Sequence, residues 1–107
     1  MKFDVLLADD AERDIGDIYS YVALYDAPEK AERLLVALER ACDSLADFPT
    51  RCHIPKELEP LGITEYREIE YKPYRVIYRI EEKRVIVYCV LDGRRDMQSL
   101  LQRRLVR

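Results

Sequence analysis

The chain has 107 residues, room for one domain over 1–107, and its 21 acidic and 18 basic residues leave a net charge of −3. A domain of that size buries roughly two thirds of its unfolded surface without metal or disulfide help. No apolar run approaches the ~18 residues of a membrane span, and Met1-Lys2-Phe3-Asp4 meets an acid at once where a secretory leader would turn apolar, so a cytoplasmic protein with no membrane partner is expected.

Phe3 to Leu7 is short and apolar and predicts a first strand. Asp9-Asp10-Ala11-Glu12 then sets an acid at a helix N-cap with a glutamate three residues on. Ile15, Ile18, Tyr19 and Val22 recur at helical spacing to about Tyr25. Asp26-Ala27-Pro28-Glu29 repeats the start signal, with proline in the first turn where its missing N–H costs nothing. A stripe from Ala31 through Leu34, Leu38 and Cys42 to Leu45 carries the second helix as far as Phe48-Pro49, because the residue before proline avoids helical backbone. The two helices form a hairpin with a tight connection. Residues 49–64 hold Pro49, Pro55, Pro60 and Gly62 with no sustained period, and are expected as an irregular loop.

Beyond that loop the period becomes two. Glu65 to Tyr71 is a charged strand, and Tyr74 to Ile80 sets Tyr74, Val76, Tyr78 and Ile80 against Arg75, Ile77 and Arg79. After a Glu82-Lys83 turn, Val85 to Leu91 is apolar on both faces, as the best-covered strand of a sheet would be. Asp92-Gly93 breaks it, and Arg95 to Leu105 reads as a short basic amphipathic helix. The order implies an α+β fold: an N-terminal strand, a two-helix hairpin, a three-stranded antiparallel meander completing a small sheet, and a short C-terminal helix. Charge is divided unevenly along it. Residues 1–65 hold 7 Lys/Arg against 15 Asp/Glu and residues 66–107 hold 11 against 6, so an anionic partner would meet the C-terminal part.

Three cysteines, Cys42, Cys52 and Cys89, with no C-x-x-C spacing, argue against a disulfide framework or a zinc site, and no metal or other cofactor is expected. Cys42 and Cys89 read as small buried hydrophobes. Cys52-His53 is an adjacent thiol–imidazole pair, but neighbours in sequence need not point together and no third ligand lies nearby.

Glu65-Tyr66-Arg67, then Tyr74-Arg75-Val76-Ile77-Tyr78, then Val90 through Asp92-Gly93-Arg94-Arg95-Asp96 resemble, in order and spacing, the signature of the RelE/ParE toxin superfamily. Ala11 to Ile18 and Leu45-Ala46-Asp47-Phe48-Pro49 are similar to it too, so the resemblance spans nearly the whole chain and lies closer to ParE-like members. It implies the toxin of a bacterial type II toxin–antitoxin pair, a plasmid-stabilisation or stress system, which arrests growth when free of its cognate antitoxin. Two mechanisms share that fold: ParE-like members inhibit DNA gyrase, and RelE-like members cut mRNA on the ribosome.

Cleavage by 2′-OH attack needs a proton acceptor, cations on the phosphorane and a proton donor. For a nuclease the resemblance points to Arg67, Arg75 and Arg95 as a phosphate clamp. The histidine common where Asp92 stands is missing, and so is the tyrosine expected near Leu101, which leaves Glu68, Glu70 or Asp92 as base and Tyr71 or Tyr88 as acid. Each has a plainer role in packing or solvation, and Arg75 and Arg79 are equally suited to pairing with Glu68 or Glu70 across the hairpin. Arg95 is similarly suited to pairing with Asp92 or Asp96. These gaps, together with an acidic pI near 5.2, favour gyrase over the ribosome and mRNA as target. The contact would run through Arg67, Arg75, Arg94, Arg95, Arg103 and Arg104. Tyr19, Val22, Leu24 and Tyr25 on the first helix are the expected antitoxin-binding residues, on the argument that a two-helix hairpin over a small sheet leaves apolar side chains for an amphipathic helix to cover.

Overall fold

The computed structural model describes residues 2–106. Strand β1 (Asp4–Leu7) leads into helices α1 (Asp9–Tyr25) and α2 (Pro28–Asp43). Strands β2 (Tyr66–Tyr71), β3 (Tyr74–Glu81) and β4 (Arg84–Asp92) follow, and helix α3 (Met97–Leu105) ends the described chain. The sheet order is β1-β4-β3-β2, with β1 parallel to β4 and the other three forming an antiparallel meander. This is the α+β arrangement the sequence implies. Among the described residues no helix is long and apolar enough to cross a membrane.

Helix starts differ from the expected caps. The N-cap of α1 is Ala8 and that of α2 is Ala27, and neither is capped by a side chain. Strand pairing persists to the junction, where the Ala8 N–H donates to the Val87 carbonyl at 2.9 Å. The cap thus falls one residue before the expected Asp9, and the helix begins with Asp9, Asp10 and Glu12 in its first turn, where carboxylates are favoured by the positive end of the helix dipole. Asp26 stands one place too early to cap α2 and pairs with Lys30 at 3.1 Å.

The end of α2 is also earlier than expected. The helix stops at Asp43, a 3-10 turn covers Ser44–Ala46, and Phe48 takes left-handed backbone with φ 52° while its ring stands exposed. Arg51 reaches back to the carbonyls of Ser44, Asp47 and Phe48, satisfying acceptors that a helix end leaves open. Residues 49–64 are more ordered than a plain loop. They contain 3-10 turns at Pro49–Arg51 and Glu59–Leu61, and they bury Pro49, Pro55 and Leu58.

Both faces of the sheet are covered. The helix hairpin packs Ala11, Ile15, Leu38 and Leu45 onto Val76, Tyr78, Val85, Val87 and Val90. On the opposite face, Leu58 from the loop and Met97, Leu100 and Leu101 from α3 pack on Tyr66, Ile77, Cys89 and Leu91. Strand β4 lies inside the sheet, which accounts for its uninterrupted apolar run. The β3–β4 register shifts between Ile77 and Tyr78, leaving Tyr88 opposite no residue. This bulge puts Tyr88 and Cys89 together on the α3 face.

Candidate functional site

Strand alternation decides where the charged side chains go. Glu68 lies opposite Ile77, and Tyr66 opposite Arg79, so the odd charge of β2 shares a face with buried residues. Glu68 is 3% exposed and Arg75 9%. The Arg75 Nε donates to Glu68 Oε1 at 2.6 Å, while its two terminal nitrogens donate to both Glu57 oxygens at 2.9 and 2.7 Å. The other Glu68 oxygen lies 2.7 Å from His53 Nε2. The result is a hydrogen-bonded chain, His53–Glu68–Arg75–Glu57, tying the 49–64 segment to the sheet. The Arg75 hydrogen bonds hold the Glu57 carboxyl below its usual range, and the Glu57 and Glu68 contacts outweigh burial in raising Arg75.

Arg75 thus makes the cross-hairpin pair with Glu68 that the sequence offered, but as a buried ion pair and not an exposed one. Its guanidinium is filled by two carboxylates, one of them, Glu57, supplied from 18 residues away. Arg67 stands opposite Tyr78 and therefore on the helix-hairpin face, where its Nη1 donates to the Cys52 carbonyl at 2.6 Å and the Thr50 carbonyl at 3.3 Å. Arg67 and Arg75 point to opposite faces of one sheet and cannot close on a single phosphate. Arg79 pairs with Glu81 at 3.5 Å rather than with Glu68 or Glu70.

The Asp92-Gly93-Arg94-Arg95 turn connects β4 to α3. Arg94, not Arg95, pairs with Asp92, at 2.7 Å, and this contact lowers the Asp92 carboxyl. Asp96 caps α3, accepting from the Ser99 N–H at 3.2 Å and its hydroxyl at 2.8 Å. Gly93 donates to the Pro73 carbonyl at 2.7 Å, and a Cβ there would lie 2.9 Å from Arg75 Cδ. Only glycine lets the turn pass so close to the buried arginine. Arg104 is likewise occupied: it donates to both Asp14 oxygens at 3.1 and 2.7 Å, and Asp14 also accepts from the Val90 N–H. β1 reaches only Val87, so α1 supplies the acceptor that the exposed edge of β4 lacks. Among the described residues, exposed Arg95 and Arg103 are left without an ion pair.

The candidate acid and base groups do not converge on these two arginines as a set. Glu70 is exposed beside Glu68 and His53. Asp92 is engaged by Arg94, Tyr71 is exposed, and the Tyr88 hydroxyl donates to Glu81 at 2.9 Å. Burial raises the Cys42 thiol to about 11 and the Cys89 thiol to about 12, consistent with packing roles. His53, Glu57 and Asp14 were not legible as partners, though the even placement of Glu68 between Tyr66 and Glu70 was a usable signal for an inward charge.

The end of α1 carries apolar surface without cover. Tyr21, Leu24 and Tyr25 are 66%, 74% and 71% exposed, and the two tyrosine rings lie 4.8 Å apart. Tyr19 and Val22 are half-buried, with the Tyr19 hydroxyl donating to Glu32 at 2.7 Å. A cleft of about 700 Å³ opens beside them, lined by Tyr21, Tyr25, Tyr74, Asp92, Arg94 and Arg95.

Among solved structures, the fold is similar to a chromosomal ParDE toxin–antitoxin system from P. aeruginosa, with TM-score 0.69, 15% identity, and coverage of 83% of this chain and 94% of that one. It is also similar to the toxin–antitoxin complex RelBE2 from Mycobacterium tuberculosis, with TM-score 0.63, 20% identity, and coverage of 86% and 92%. No curated protein matches significantly in sequence. The sequence model of the family described as ParE toxin of type II toxin-antitoxin system, parDE, matches residues 5–97, and with the fold and the element order in agreement, the chain belongs to that toxin family.

Proposed function

We propose that the free chain acts in the cytoplasm as a growth-arresting toxin that inhibits DNA gyrase by protein–protein contact, and that a cognate antitoxin neutralises it. The observation that carries the choice of gyrase is the internal use of the arginines. Arg75, Arg94 and Arg104 are spent on carboxylates, and Arg67 lies on the opposite sheet face from Arg75. A phosphate clamp would need several free guanidiniums converging on one point. Docking on a protein needs only a shaped surface with a few free cations, and Arg95 and Arg103 on and beside α3 supply these.

The exposed Tyr21, Leu24 and Tyr25 support the antitoxin contact, since an amphipathic helix laid across them would bury three large side chains. Two reactions test the target. Incubated with purified gyrase and plasmid DNA, the protein is expected to trap double-strand breaks, and on programmed ribosomes it is expected to leave mRNA whole. Cut mRNA with intact gyrase function overturns the reading in favour of an mRNA endonuclease. An Arg95→Ala/Arg103→Ala variant is expected to lose gyrase inhibition by at least about tenfold.

A further inference from the structure

We propose that His53, Glu68 and Glu70 form a binding site for a divalent transition metal of the zinc type. The inference is independent of the gyrase reading. One ligand atom from each residue lies within 4.8 Å of the others. The backbone produces this convergence. Glu68 and Glu70 are two apart on β2 and share a face, and an antiparallel bridge places His53 opposite Glu68. This histidine is the sole one in the chain, and the segment that carries it is tied to the edge of β2 by the Glu68 N–H donating to the His53 carbonyl at 2.9 Å.

The surroundings are those of a metal site. Glu68 is buried, with one oxygen fixed by Arg75 and the other directed at His53. Arg75 is in turn clamped by Glu57, an outer layer that orients a ligating carboxylate. The cluster holds three carboxylates, Glu57, Glu68 and Glu70, and one guanidinium, Arg75, which is bound to the first two, leaving two negative charges that a dication balances. Arg51 borders the same cleft, but its guanidinium is held by backbone carbonyls and the Ser44 hydroxyl.

One imidazole with two carboxylates suits zinc better than calcium or magnesium, which prefer oxygen alone. Zinc at about 2.0–2.2 Å from each atom would bring the ligands to roughly 3.3 Å apart, reached by rotation of the exposed His53 and Glu70. Imidazole would bind through Nε2 as the tautomer protonated at Nδ1, replacing its contact with Glu68. Cys52 packs toward the helix-hairpin core and is not among the ligand atoms. Three protein ligands leave a fourth position open to the cleft.

The test is titration of the full chain with Zn²⁺ by calorimetry and with Co²⁺ by visible absorption, while the lone imidazole is followed by proton NMR. Expected are one ion per chain, tetrahedral Co²⁺ bands and a shifted imidazole signal. His53→Ala and Glu70→Gln alter exposed side chains, so the fold should survive, and each should weaken binding at least about tenfold. Cys52→Ser should leave affinity unchanged. The proposal is overturned by no stoichiometric binding, by equal affinity in His53→Ala, or by loss of binding in Cys52→Ser alone.

Discussion

The two faces of this sheet are closed by different means. Under the helix hairpin the buried residues are apolar throughout, from Ala11 and Leu38 to Val87. Under α3 and the 49–64 segment, apolar packing is joined by Glu68 and Arg75, the buried charged residues among those described. Two helices of 17 and 16 residues cover the first face, whereas α3 has 9. A short helix and an irregular segment leave a gap beside β2 that side chains from β2 and β3 fill with ions. The lesson is that a buried ion network stands here where a helix is too short to seal a sheet, and that it fastens the otherwise irregular segment through Glu57.

The comparison breaks first at Arg75. Arg75→Met leaves Glu57 and Glu68 without a counter-charge and is expected to cost about 3–5 kcal/mol in urea unfolding. Replacing the three together, by Glu57→Met, Glu68→Leu and Arg75→Met, should raise the midpoint above that of the single variant, because the penalty comes from the orphaned charges. If the single variant is as stable as the parent, the network is not a fastening. On the apolar face, Leu38→Ala is expected to cost about 2–4 kcal/mol through lost transfer energy and a residual cavity.

Acid sensitivity separates the faces by a smaller margin. Glu57 and Asp92 are both held below their ordinary values by arginine. A depressed carboxyl adds stability that is complete above its unfolded value, about 4.3 for Glu and 3.9 for Asp, and is lost as pH falls through the lower folded value. Urea midpoints followed downward from about pH 6 should therefore fall, and less steeply in Arg75→Met, where the Glu57 share is gone. The smallest stability effect is at the end of α1. Leu24→Ser with Tyr25→Ser should change stability by less than about 0.5 kcal/mol, yet weaken antitoxin binding at least about tenfold, measured by calorimetry with the cognate antitoxin.

Period and punctuation made the element order legible. The shift from 3.6 to 2 after residue 64 and the apolar run at 85–91 identify the meander and its covered strand. Caps were misplaced because strand pairing at Ala8 and proline geometry at Ala27 decide those starts ahead of side-chain capping. The arginines were harder to read. A guanidinium looks the same in sequence whether it faces solvent or a carboxylate; strand pairing reaches Glu68 as a partner of Arg75, but Glu57 and Asp14, the further partner of Arg75 and the partner of Arg104, come from distant elements. The exposed end of α1 was legible in part: Leu24 and Tyr25 stand uncovered as expected, whereas Tyr19 and Val22 are half-buried and exposed Tyr21 carries no signal apart from theirs.

The short strand β1 has a consequence for the order in which the protein is made. Asp4 pairs with Arg84 and Leu7 with Val87, so the earliest strand to leave the ribosome has no partner until nearly the whole domain has followed it. The meander can close on itself first, and β1 then docks along β4 as a late, long-range event. A chain interrupted before β4 would hold both helices and still lack the strand on which β1, the hairpin and α3 are assembled. Translation thus gates this fold near its end, and a truncated product is a fragment, not a weakened toxin.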